Sequence, residues 1–261
     1  MKNINWSELG FGYFKTDYNV RCEYKDGKWG ELYATEDVNM NIHMASTCLH
    51  YGQEVFEGLK AFRGADGKVR LFRVEENAKR MINSGEYLKM AVPSVELFTK
   101  ACIEAVKLNA DYIPPYGSGA SLYLRPMLIG VGPQVGVKPS ADYLFAVFVT
   151  PVGPYYKDGF NCIKVIIDYD HDRAAPKGTG HVKVGGNYAA SLDSGEIAHQ
   201  KGFASVIFLD PATKQYIDEC SAANFFGIRD GKYITPDSHS VLPSITNKSL
   251  RQIAEDLGLK V

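Results

Sequence analysis

Apolar and polar positions along the chain follow two rhythms. In "SVELFTKACIEAVKLNADYI" the residues Leu97, Phe98, Ala101, Ala105 and Leu108 recur at helical spacing and form one apolar face, with Ser94 placed to cap the first turn. "VEENAKRMINSGEYLKM" has a helical look. "LPSITNKSLRQIAEDLG" predicts a third helix, with Ser244 as N-cap and Gly258 just past its end. "NYAASLDSGEIAHQKG" predicts a fourth, ending at Gly202. Between these lie alternating or continuously apolar segments. Asp26-Gly27, Asp66-Gly67 and Asp230-Gly231 sit between such segments and read as tight hairpins. "SLYLRPMLIG" and "DYLFAVFVT" are strands joined by a Gly/Pro-rich loop, and "FNCIKVIID", "ASVIFLD", "YIDECS" and "NFFGIRDGKYITP" add further strands. The longest apolar run, "YLFAVFVTPV", fits a buried strand and is too short to span a bilayer.

These elements fall into two α+β groups. "PVGPYYKDG" is the linker candidate, so the expected organisation is a first domain over 1–150, a linker at 151–159 and a second domain over 160–261. After Gly258 only "LKV" remains, which resembles the start of another strand; a sheet ending there would expose a bare edge, so a longer natural chain is expected.

Composition narrows the function classes. Apolar residues at 45% and charged residues at 23% of 261 describe an ordinary globular protein. Lys plus Arg is 29 against 30 for Asp plus Glu, a net charge of −1, which supplies no field for a polyanion and argues against nucleic acid as a partner. "MKNINWSELGFGYF" has no signal-peptide layout. The five cysteines Cys22, Cys48, Cys102, Cys162 and Cys220 are scattered, with no C-x-x-C pair; each reads as a small buried hydrophobe, and the set fits a reducing cytoplasm with neither a disulfide framework nor a metal site.

The chemistry centres on "KVGGNYAAS". A lysine is ordinarily a solvated charge. Lys183 instead has small or apolar flanks, two glycines that allow close backbone approach, and a helix start behind it. A lysine desolvated in such a place becomes a nucleophilic amine able to form a Schiff base. "GTGHVKVGGN" does not match a phosphate-loop pattern. If the Schiff base is with pyridoxal 5'-phosphate, an anion must face the pyridine nitrogen, and Glu219 in "IDECSAANFFG" is the candidate. The phosphate needs an anchor, offered by the N–H groups of Ile245 and Thr246 at a helix start, with Arg80 in "NAKRM" as one candidate arginine. Tyr188 is placed to hydrogen-bond the ring's phenolate oxygen.

Taken together, "LHYGQEVFEGLKAFRG", "LFRVEENAKRM", "LYLRPMLIG", "KVGGNYAAS", "DECSAANFF" and "VLPSITNKSL" resemble the branched-chain amino acid aminotransferases, pyridoxal-phosphate enzymes of fold type IV, in the subgroup shared by animals and many bacteria. The resemblance runs from "GFGYFKTDYNV" to the last residue and implies an α/β (α+β) fold with a small α+β domain and a larger domain carrying a pseudo-barrel sheet. It implies Lys183 as Schiff-base lysine and proton carrier, Tyr188 as phenolate-oxygen donor and Glu219 as pyridine partner. Arg80, Ile245 and Thr246 would hold the phosphate, and Leu242 would pack on the ring face. Tyr51, Phe56, Tyr123 and Arg125 resemble the substrate pocket, with Phe11 and Tyr155 as apolar walls and the Ala222 N–H as a carboxylate contact. Phe11, Phe56 and Tyr155 would suit leucine, isoleucine and valine, while Arg125 with Tyr51 and Tyr123 would meet the distal carboxylate of glutamate. Val135 and Val137 resemble a loop that reaches the partner subunit's pocket, so a homodimer is expected.

Two departures stand out. The family's chains continue past the point where this one stops, and "SAAN" has Ala222 where some relatives have threonine. A D-amino-acid aminotransferase and an aminodeoxychorismate lyase are alternatives on the same fold, opposed by "HYGQEVFEG" and "YLRP"; a non-catalytic remnant is the alternative from another class.

Overall fold

The structure, a computed structural model, describes residues 2, 4–155 and 161–261. It divides into two compact units, Met1–Asn161 and Cys162–Val261. Residues 156–159 of the expected linker lie outside the described residues, while Pro151 and Val152 belong to a strand.

The first unit is an antiparallel sheet with two long helices. In chain order it contains β1 (Asn19–Lys25), β2 (Lys28–Trp29), β3 (Tyr33–Thr35), α1 (Thr47–Tyr51), β4 (Glu54–Phe56), β5 (Leu59–Arg63), β6 (Val69–Leu71), α2 (Val74–Tyr87), α3 (Val95–Leu108), β7 (Ser121–Gly130) and β8 (Tyr143–Val152). The sheet order is β2-β1-β8-β7-β5-β6, with β3 beside β1 and β4 beside β7. The turn at Asp26-Gly27 has both residues left-handed (φ 50 and 78), the conformation an Asp-Gly hairpin favours. Asp66-Gly67 closes a longer loop between Arg63 and Val69.

Helix α3 forms as its apolar period requires. The Ser94 side chain accepts from the Leu97 N–H at 3.1 Å, and Phe98, Ala101, Cys102 and Ala105 are fully buried. Phe98 stacks on Phe145 of β8 at 5.8 Å between centroids, and Trp29 packs edge-on to the same ring. Burial of one such phenylalanine contributes about 2 kcal/mol. Strand β7 alternates: Leu122 and Leu124 are fully buried, whereas Tyr123 and Arg125 share the other, half-buried face.

The second unit contains β9 (Val165–Asp168), α4 (Gly185–Ala189), α5 (Leu192–Gln200), β10 (Ser205–Leu209), β11 (Ile217–Cys220), β12 (Gly227–Arg229), β13 (Lys232–Ile234) and α6 (Ile245–Asp256). β10 lies between β9, parallel to it, and β11, antiparallel to it. Its core is Ala198, Val206 and Phe208, with Ile166 and Phe203 against them. The β12–β13 hairpin turns at Asp230-Gly231 in the same left-handed pair (φ 50 and 71). Helix α6 is capped by Ser244, whose Oγ accepts from the Asn247 N–H at 3.1 Å.

Two expectations shift. The helix expected to run to Gly202 is two helices, because the Ser191 Oγ bonds the Tyr188 carbonyl at 2.9 Å and the backbone turns there. Cys162 is exposed rather than buried, and Cys48 and Cys220 are half-buried; all five thiols are free. Within this chain the second unit carries a three-stranded sheet and a two-stranded hairpin. Among the described residues no helix is long and apolar enough to cross a membrane.

Candidate active site

In the second unit the segment before α4 is held from inside. Asn187 is buried; its Nδ2 donates to the Thr179 and Val182 carbonyls at 2.7 and 3.0 Å, and its Oδ1 accepts from the Thr179 hydroxyl at 2.6 Å. This fixes the residues leading to Lys183. The Lys183 Nζ donates to the Tyr188 hydroxyl at 2.5 Å and lies 5.0 Å from that ring's centroid. The two residues that the sequence pairs do therefore meet.

Glu219, on β11, is 4% exposed. Arg173 Nε sits 2.6 Å from its Oε1, and Asn224 Nδ2 donates to its Oε2 at 2.7 Å. Burial pushes the Glu219 carboxyl up to about 7, against the pull of Arg173, the Leu242 backbone and Asn224, all of which favour the anion. Arg173 also donates through Nη2 to the Gly180 carbonyl at 2.9 Å and to the Ser240 carbonyl. One guanidinium thus ties β11, the loop before Lys183 and the segment before α6 together. Gly180 allows the last contact: a Cβ there would lie 2.1 Å from the Ser240 carbonyl oxygen. Asn224 adds a second tie, donating to the Leu242 carbonyl at 3.0 Å.

The start of α6 follows directly. Ser244 takes the Asn247 N–H, and no described residue accepts from the N–H groups of Ile245 and Thr246. Two amides at the positive end of a twelve-residue helix suit an anion. Leu242 is half-buried, and Ala222 is exposed in the turn after β11.

In the first unit, Arg80 on α2 is gripped by Glu57, which is fully buried: Nε to Oε1 at 2.8 Å and Nη2 to Oε2 at 2.7 Å. Asn77 Nδ2 adds a bond to the same carboxylate at 2.8 Å. The phosphate arginine expected from the sequence therefore sits in a buried ion pair that uses its Nε–Nη2 edge.

Phe11, Tyr123 and Tyr155 pack edge to face, Phe11 lying 5.1 Å from Tyr123 and 5.4 Å from Tyr155. The Arg125 guanidinium lies 4.8 Å from the Phe56 ring centroid and 5.3 Å from that of Tyr123, and its Nε donates to the Tyr123 hydroxyl at 3.1 Å. Burial raises the Tyr123 phenol, so it stays protonated. Five of the expected substrate residues thus form one cluster. Among the described residues Tyr51 makes its hydrogen bond elsewhere, to the Val135 carbonyl. Val135 and Val137 project from the β7–β8 loop, 85% and 86% exposed.

Sequence reasoning missed Glu57, Arg173, Asn187 and Asn224, which touch and hold the expected residues. One signal was present for Glu57: Val55, Leu59 and Ala61 are buried at alternate positions, and Glu57 falls on the same phase.

The family described as amino-transferase class IV matches residues 54–261. The chain is 53% identical to the branched-chain-amino-acid aminotransferase of Haemophilus influenzae, over 100% of this chain and 78% of that protein. The crystal structure of the Escherichia coli branched-chain amino acid aminotransferase superimposes with a TM-score of 0.76 at 27% identity, covering 95% of this chain and 77% of that one. The T.th. branched-chain amino acid aminotransferase with pyridoxamine 5'-phosphate gives a TM-score of 0.75 at 27% identity, with coverage of 95% and 77%.

Proposed function

Because the chain belongs to the class IV aminotransferases, we infer that it transfers the amino group of leucine, isoleucine or valine to 2-oxoglutarate, giving branched 2-oxo acids and glutamate. Relatives of this kind do not favour a D-amino-acid aminotransferase or a lyase. The structural observation that carries the reading is the Lys183–Tyr188 contact, set in a segment that Asn187 fastens from within.

The residues present fit pyridoxal 5'-phosphate. Within the second unit Ile245 and Thr246 offer two amides for its phosphate, and Glu219 is a buried carboxylate already held at both oxygens. When bound, the cofactor supplies an aldehyde that bonds amines and a ring that takes up the electron pair released at the substrate Cα. Lys183 Nζ is the base that accepts the Cα proton and returns it. Tyr188 accepts a hydrogen bond from Lys183, and its hydroxyl would donate to the ring's phenolate oxygen. Glu219 would partner the pyridine nitrogen, where a cation would favour its anionic form as Arg173 does. Leu242 would pack on the ring face, and the Ala222 N–H would receive the substrate carboxylate.

The first unit's cluster, taken by itself, offers surfaces suited to both kinds of substrate side chain. Phe11, Phe56 and Tyr155 offer apolar surface to a branched chain, and Arg125 pairs the distal carboxylate of glutamate, so that one cluster serves both. Tyr51 steadies the loop bearing Val135 and Val137, whose exposed apolar tips suit a contact with a second copy in a homodimer. The five free thiols fit a reducing compartment such as the cytoplasm.

The test is turnover. Purified protein with pyridoxal 5'-phosphate is expected to convert leucine and 2-oxoglutarate. No rate on leucine, or an equal rate on D-alanine, contradicts the assignment.

A further inference from the structure

We propose that Gly58 is a specificity-determining residue, whose missing side chain leaves room for the Tyr123 hydroxyl and thereby sets Arg125 for a distal carboxylate. This rests on the assignment of Arg125 above.

Gly58 stands between β4 and β5, and its φ is not left-handed, so conformation does not demand a glycine there. Space does. A Cβ at this position would lie 2.2 Å from the Tyr123 hydroxyl oxygen, 3.0 Å from Cζ and 3.1 Å from Cε2. The backbone has little freedom to retreat. Its carbonyl accepts from Asn77 Nδ2 at 3.3 Å and its N–H donates to Glu57 Oε2 at 3.4 Å, and Glu57 is itself clamped by Arg80. The tyrosine must therefore give way.

Tyr123 cannot move without consequence. Its hydroxyl accepts from Arg125 Nε, and its ring and that of Phe56 both lie close to the guanidinium. No described residue accepts from the two Nη groups of Arg125, which leaves a flat fork of donors for a carboxylate. Displacing the hydroxyl removes the one hydrogen bond that fixes the fork's rotation. A branched apolar side chain needs no such fork, so a side chain at position 58 is expected to separate the two substrate classes.

The experiment measures binding of two unreactive probes to holoenzyme by calorimetry: glutarate for the dicarboxylate and 4-methylpentanoate for the branched chain. In Gly58→Ala the glutarate Kd is expected to rise about tenfold, the effect of losing one hydrogen bond to a charged group. The 4-methylpentanoate Kd should change less than about twofold. Tyr123→Phe should reproduce the glutarate loss, and the double variant should bind glutarate no worse than either single one, because both act through the same contact. Equal loss on both probes, or additive losses in the double variant, overturns the proposal in favour of general damage. If Arg125→Gln weakens glutarate binding and Gly58→Ala does not, Gly58 has no such role. If Arg125→Gln has no effect, the Arg125 assignment itself fails. Should Gly58→Ala not fold, Gly58→Ala with Tyr123→Phe is expected to fold, since the closest clash is gone; failure of both overturns the spatial argument.

Discussion

Arg173→Met should destabilise the protein in a way that depends on pH. Among the described residues Arg173 makes three contacts: Glu219 at 2.6 Å, the Gly180 carbonyl at 2.9 Å and the Ser240 carbonyl. Methionine fills similar space and makes none of them. The two carbonyl bonds contribute about 1 kcal/mol each, at any pH. The charge contribution works differently. Glu219 is raised from 4.5 to about 7 in the folded chain, chiefly by burial. A raised carboxyl binds its proton more tightly when folded. The stability this gives is fully present below about 4.5, and it is lost as pH rises through about 7. Without Arg173 the folded carboxyl rises further. Up to about pH 7 both proteins can carry Glu219 protonated, so the variant loses little from charge. Above that, the wild type ionises against its arginine and the variant cannot. The penalty then grows by about 1.4 kcal/mol per pH unit, reaching about 3 kcal/mol near pH 9. The total is about 2 kcal/mol at pH 6 and about 5 kcal/mol at pH 9. Urea unfolding of the cofactor-free protein across this range measures it, and the double variant Arg173→Met with Glu219→Gln should lose the pH-dependent part. A penalty equal at both ends of the range refutes the reasoning, since the arginine would then not govern the ionisation of Glu219.

Gly180→Ala drives a Cβ to 2.1 Å from the Ser240 carbonyl oxygen, a backbone atom, and should cost about 1–3 kcal/mol or more; urea unfolding reads it, together with weaker retention of pyridoxal 5'-phosphate on dialysis. Ser244→Ala removes the cap of α6 and should cost about 1 kcal/mol, seen as a lower thermal midpoint. Glu57→Gln strips the anion from a fully buried pair and should destabilise by about 3 kcal/mol in the same urea assay; an unchanged midpoint would mean that the pair with Arg80 contributes nothing.

How far the sequence alone reaches depends on the range of each interaction. Helix α3 and its cap, the two Asp-Gly turns with left-handed pairs, and strands β7 and β8 were legible because they follow from period and turn chemistry within a few residues. The break between α4 and α5 was not, because it turns on Ser191 bonding a local carbonyl in place of continuing the helix. Nor was the parallel pairing of β9 with β10, which no local pattern encodes. Within the site, Lys183, Tyr188 and Glu219 could be named from their settings and from the resemblance. Their supports could not. Arg173 reads as one charged residue among many in "DYDHDRAAPK" until the fold brings it to Glu219, and Asn187 acts inward on carbonyls that the sequence cannot place. Arg80 shows the limit from the other side: the residue was identified, but its buried partner Glu57 was not, although the alternation around Val55 and Leu59 pointed inward at that position.

Everything proposed for catalysis turns on a single amine. Protein reconstituted with pyridoxal 5'-phosphate should show a yellow chromophore; borohydride should bleach it, and peptide mass spectrometry should find the reduced cofactor on Lys183. No chromophore, or an adduct on any other lysine, contradicts the account.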